Sequence, residues 1–164
     1  ILHLSRIALV TQVSLGGGSL EDVEKSYVSG GWEADDAALA ALSLADTAAN
    51  ADAIDAALRS IYLPWAEASA RYLQSLVDKS EYPGGTSLSA QVAPVKEGEC
   101  IFFVDGLRFD LGKRLTTSLL EHRMSVDSQP RWSALPSVTA TAKPAVTPVV
   151  SKISGHDGNE DFEP

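Results

Sequence analysis

Two short runs hold the residues of this chain whose types and spacing could do chemistry. In ECIFFVDGLRFD, Glu99 to Asp110, the apolar run Cys100 to Val104 ends on the carboxylate Asp105, and Gly106 then allows a tight turn. In ALPSVTATAK, Ala134 to Lys143, the hydroxyl Thr139 stands in a loop beside a short Ala-containing segment that reads as a helix. A threonine hydroxyl is a poor nucleophile at neutral pH, and contact with a divalent cation stabilises its alkoxide. A carboxylate oxygen is a hard ligand that suits zinc, magnesium or manganese. A carboxylate such as Asp105 and a hydroxyl such as Thr139, on two loops of an α/β sheet, could hold a metal ion and a nucleophile. Arg108 carries a planar fork that could hold a phosphate. Lys143 could face the same anion, and Thr141 is a second hydroxyl in the same loop. Each residue also has a plain reading: Asp-Gly as a turn, Thr139 as a helix cap, Arg108 in a surface ion pair, Lys143 in solvent.

The elements that must position these groups follow from pattern. Cys100-Ile101-Phe102-Phe103-Val104 is short, unbroken and rich in β-branched and aromatic types. Such a run suits a strand buried on both faces of a parallel sheet. Leu111, Leu115 and Leu119 recur every four residues, which predicts a helix with Asp110 near its start. Met124 to Val126 reads as a second strand and Trp132 to Leu135 as a third. Strand, helix and strand in succession predict a right-handed βαβ unit, and ligands of open α/β sheets bind beyond the carboxyl ends of the strands. That edge would bring Asp105 and Thr139 together.

The two runs, VDGLRFD and ALPSVTATAKPAVTPV, together resemble the opening of the alkaline phosphatase superfamily core. More narrowly, they resemble the PglZ domain of bacterial phage-exclusion (BREX) systems. The likeness covers Glu99 to about Val150, and IYLPWAEASARYLQSLV, Ile61 to Val77, is similar to the helical segment preceding that core. The resemblance implies an α/β fold: a helical N-terminal region followed by the first βαβ part of a mainly parallel sheet. It implies that Asp105 binds a metal ion and that Thr139 is the nucleophile or lies between two metals. It further implies a metal-dependent phosphatase or phosphodiesterase, with zinc (or manganese or magnesium) as cofactor, acting within a phage-defence complex on a phosphate ester. The remaining Asp and His ligands of such a core would follow Pro164, so the expectation is an excerpt with no appreciable activity of its own.

Composition agrees with a globular chain. Hydrophobic residues make up 45% and charged residues 21%, enough to build a core without a membrane-length apolar run. The net charge of −9 disfavours non-specific attraction to nucleic acid. Cys100 is the single cysteine and fits a reducing cytoplasm. His3 and His122 fall in predicted helices with no carboxylate or Cys at ligand spacing, and His156 falls in an acidic, Gly-rich loop.

The first half reads as helices. Leu2 to Val13 is mainly apolar and stops at Gly16-Gly17-Gly18, which lacks the Gly-Lys-Ser/Thr of a phosphate-binding loop. Ser19 then predicts an N-cap with Glu21 and Asp22 in the first turn. That helix is expected to stop at Gly30-Gly31. Trp32 to Ala45 follows, with Asp35 and Asp36 as a solvated first turn. Asp52 to Tyr62 is the next predicted helix, with Asp55 and Arg59 paired. Pro64 opens a helix striped by Trp65, Ala68, Tyr72 and Leu76, with Glu67 and Arg71 on its polar side. These patterns predict a helical region over 1–85, a connector over 86–98 and the start of the catalytic core over 99–164. Two other classes stay open. One is a non-catalytic interaction module with a degenerate phosphatase-like core. The other is a small nucleotide-binding domain, which the lack of any G-x-G-x-x-G or P-loop argues against.

Overall fold

The computed structural model describes residues 1–84, 96–102, 104 and 106–146. The chain divides into two compact units. One comprises Ile1–Glu81 with Arg108–Ser128, and the other Tyr82–Leu107 with Gln129–Pro164.

In the first unit, α1 (Leu2–Val10) packs on α3 (Trp32–Leu42). The contact is close because α3 offers Ala37, Ala38 and Ala41, whose side chains end at Cβ. These join Ile7, Ile54 and Leu58 in one buried cluster, with Leu4, Ile61 and Tyr62 packed against it. An Arg6–Glu33 ion pair ties the same two helices at the surface. The α2 helix (Leu20–Ser26) begins as its sequence predicts: Ser19 is extended, and its Oγ accepts from the Asp22 amide at 3.1 Å. Thr47 does the same for Asn50 at the start of α4 (Ala48–Ala57).

Two helices run on where breaks were expected. Gly30-Gly31 does not end α2; a π-helical turn, Tyr27–Gly31, carries the chain directly into α3. Gly31 is buried there, and a Cβ on it would come within 2.6 Å of Leu15 Cδ2, so the missing side chain makes room for packing rather than stopping the helix. A second π-helical turn, Leu58–Tyr62, joins α4 to α5 (Leu63–Val77), with Pro64 tolerated in the first turn of α5. Trp65 and Leu76 of α5 are buried, and Trp65 Nε1 donates to the Val13 carbonyl at 2.9 Å. The Asp55–Arg59 and Glu67–Arg71 pairs form as spaced, each at 2.7 Å. The last helix of this unit, α6 (Phe109–Glu121), packs on α3.

The expected α/β fold is overturned. Among the described residues there is no strand and no sheet; every regular element is helical. The run from Cys100, expected as a central buried strand, has no regular structure at its described positions. Phe102 is 85% exposed and Ile101 47%, while Phe103 lies outside the described residues. A short apolar run marks a strand only where a neighbouring strand takes its backbone hydrogen bonds, and no described segment does so. Met124 to Val126 follows the end of α6, where Arg123 turns at φ 61°, and forms no ladder with any described segment. Trp132 to Leu135 is held by side chains instead. Within the second unit, Tyr82 donates to the Ser133 carbonyl at 2.7 Å and its ring meets Trp132 edge-on at 5.5 Å. Gly84 is buried against the same pair of residues. The second unit also contains α7 (Thr139–Val146).

Candidate functional site

Thr139 is exposed and is the first residue of α7. The Val138 carbonyl accepts from the amides of Thr141 and Ala142, so the cap falls one residue earlier and Thr139 stands inside the first turn. Thr141 differs from it: its hydroxyl donates to the carbonyls of Pro136 and Val138, the latter at 3.1 Å. Of the two loop hydroxyls, Thr141 is thus engaged with backbone while Thr139 is presented on the surface of the helix start. Lys143 lies in the last turn of α7 and is exposed. Asp105 lies outside the described residues. Its neighbour Gly106 has φ 68°, the left-handed conformation expected of a glycine after Asp in a tight turn.

Arg108 occupies the N-cap position of α6, with φ −68° and ψ 158°. One edge of its guanidinium is paired, while the side chain stays half exposed. Nε and Nη2 each donate to Asp110 at 3.0 Å, a two-bonded fork onto a carboxylate that is 0% exposed. An isolated buried carboxylate would cost several kcal/mol, and this fork offsets that cost. Arg108 Nη2 also lies 3.9 Å from Asp35. Burial lowers the pKa of Arg108, but the hydrogen bonds to Asp110 and the charges of Asp110 and Asp35 outweigh it, and the net shift is upward.

Asp35 is the centre of this group. It accepts the Tyr27 hydroxyl at Oδ2 and the Tyr62 hydroxyl at Oδ1, both at 2.5 Å. Each tyrosine comes from one of the two π-helical turns. Tyr27 and Asp35 are eight residues apart, which in a straight α-helix would leave them about 80° out of line. The extra residue of the π turn takes up that offset, and such turns recur at functional sites. Burial, then the bond to Asp35 and its charge, push both phenols well above the ordinary tyrosine value, so both remain donors. Phe109 packs its ring on Tyr27 and Trp32. Asp36, expected in solvent, instead pairs with Arg114 of α6, whose Nη2 also donates to the Asp36 carbonyl at 2.8 Å. Trp32, Lys113 and Thr117 line an open cleft of about 280 Å³ beside that pair.

The polar group of Tyr27, Asp35, Tyr62, Arg108 and Asp110 escapes the sequence pattern because both π turns shift the helical register. The one local signal is Arg-x-Asp at Arg108 and Asp110. As a metal centre the described residues do not suffice: no three His, Cys, Asp or Glu side chains among them converge. Asp105 and Thr139 would give two donors, where zinc takes four and magnesium six. No helix among the described residues is long and apolar enough to cross a membrane.

Comparison with known proteins gives no relative: no family model, no curated protein and no solved structure matches this chain.

Proposed function

We propose that this chain contributes to a phosphoric ester hydrolase in which Thr139 is the nucleophile and Asp105 a metal ligand, working in the cytoplasm within a phage-defence assembly. The observation that carries the reading is the exposed Thr139 at the first residue of α7. A helix start favours a phosphate group through its orphan amides and its dipole. The neighbouring hydroxyl, Thr141, donates to backbone carbonyls, which favours Thr139 over it in this reading. Further support comes from the resemblance of VDGLRFD and ALPSVTATAK to the PglZ motifs. In this reading Thr139 Oγ bonds to phosphorus as the ester P–O bond breaks, its proton passing to water and the departing alkoxide taking one up. Water then attacks phosphorus, the Thr139 Oγ–P bond breaks, and the hydroxyl is restored as the phosphorylated product leaves. Zinc or manganese would supply charge stabilisation, with most of its ligands coming from residues other than these two.

The test is hydrolysis of bis(p-nitrophenyl) phosphate with added zinc or manganese by the full-length gene product that contains this sequence. Thr139→Ala should abolish turnover with metal content retained, and Asp105→Ala should lower bound metal as well. Turnover unchanged in Thr139→Ala overturns the assignment. A second reading, a non-catalytic module that docks partner subunits, is favoured by the exposure of Ile101, Phe102 and Leu107. It predicts no turnover by the wild type and loss of partner binding in Phe102→Asp.

A further inference from the structure

We infer that the cleft between α3 and α6 binds a small planar aromatic anion, its ring against Trp32 and its charged group on the Lys113 ammonium. Every residue involved belongs to the first unit, and the inference is independent of the hydrolase reading.

The cleft holds about 280 Å³, near the lower end for small-molecule sites, so it suits one ring or a fused pair rather than a larger ligand. Trp32 stands half-buried in its wall. Phe109 lies 6.2 Å from the Trp32 ring and 5.1 Å beneath the Lys113 ammonium, so cation and indole share one end of the cleft. Among the described residues no carboxylate pairs with Lys113, although Asp36 lines the same cleft: Asp36 is taken by Arg114 instead. An ammonium held beside aromatic rings and partly withdrawn from water attracts an anion more strongly than one in bulk solvent. Ser118, one turn beyond Arg114, adds an exposed hydroxyl in the same wall. The charge pattern also orients the ligand. Glu121 lines the cleft two turns beyond Lys113, about 12 Å along α6, and repels an anion from that end. A ring stacked on Trp32 gains apolar and aromatic contact, and an anionic substituent on it gains a charge-assisted hydrogen bond from Lys113. Neither contact is strong alone, so the ligand has to carry both features.

The experiment titrates the full-length gene product, labelled with fluorotryptophan, with indole-3-carboxylate and with AMP. It follows the fluorine resonance of Trp32, which Trp32→Phe identifies by its loss. Uncharged indole and inorganic phosphate are the controls that carry one feature each. The expected result is a saturable shift of that resonance by one or both aromatic anions, with a Kd on the order of 1 mM, and binding of each control at least about fivefold weaker. The tighter of the two anions tells whether the charged group is a carboxylate or a phosphate. Lys113→Gln should weaken binding about fivefold or more, and Glu121→Gln should tighten it about twofold by removing the repulsion. Because its sign is opposite, Glu121→Gln decides the case if Lys113→Gln disturbs the Phe109 ring. No shift with up to about 10 mM of either anion overturns the inference. So does a Kd unchanged by both substitutions, or indole binding as tightly as indole-3-carboxylate, which makes the cleft an apolar surface with no use for its cation.

Discussion

At the scale of single residues, a few polar side chains hold more than the apolar pattern suggests. Asp35 looks like an ordinary acidic residue in a helix's first turn, and charge preference alone places it in solvent. It instead accepts two tyrosine hydroxyls beside an arginine. Replacing it by alanine leaves both phenols and Arg108 without that partner, and should cost about 2–3 kcal/mol in a denaturant melt. The phenols also give the fold an alkaline limit. Their folded-state pKa values lie above the unfolded value near 10. The folded chain therefore keeps protons that the unfolded chain has lost. The stabilisation is complete below about pH 10 and is lost as pH rises through the shifted values. Tyr27→Phe with Tyr62→Phe should lower stability at pH 7 and flatten its decline above pH 10, as followed by circular dichroism across pH. In the second unit Gly84 faces a steric limit. A Cβ there would lie 2.5 Å from the Ser133 carbonyl and 2.7 Å from Trp132 Cβ, neither of which is the free end of a flexible chain. Gly84→Ala should cost about 1–3 kcal/mol and shift the fluorescence of Trp132.

At the scale of elements, Ser19 and the Glu67–Arg71 pair do in space what their spacing implies, whereas Thr47, expected to interrupt the pattern, caps α4, which starts at Ala48 ahead of the expected Asp52. Ser19→Ala and Thr47→Ala should each cost about 1 kcal/mol, read as a shift in the denaturant midpoint without a change in slope. The π turns were not legible. A glycine pair and a proline near a helix end are usually stop signals, and here the helices continue through them because the π turn is stabilised by tertiary contacts of Tyr27 and Tyr62. The strand from Cys100 was misread for a different reason. Its composition suits a buried strand, but a strand exists only with a partner ladder, which depends on segments far along the chain. Phe102 at 85% exposed marks that missing cover.

At the scale of the whole molecule, the helical region was legible in outline and the sheet was not. The grouping of α6 with the N-terminal helices rests on Phe109 packing on Tyr27 and Trp32 and on the Arg114–Asp36 pair, long-range contacts that no local pattern encodes. Of the candidate site, Thr139 stands exposed at a helix start and Arg108 is turned onto Asp110, while Asp105 falls outside the described residues. The proposed role of Thr139 as the nucleophile of a phosphoric ester hydrolase is tested by the kcat of the full-length gene product on bis(p-nitrophenyl) phosphate with zinc, wild type against Thr139→Ala, with bound zinc measured in both. The expected result is a measurable wild-type rate, a fall of about 10³-fold or more in the variant, and equal zinc. A variant that turns over at the wild-type rate with the same zinc content would contradict it.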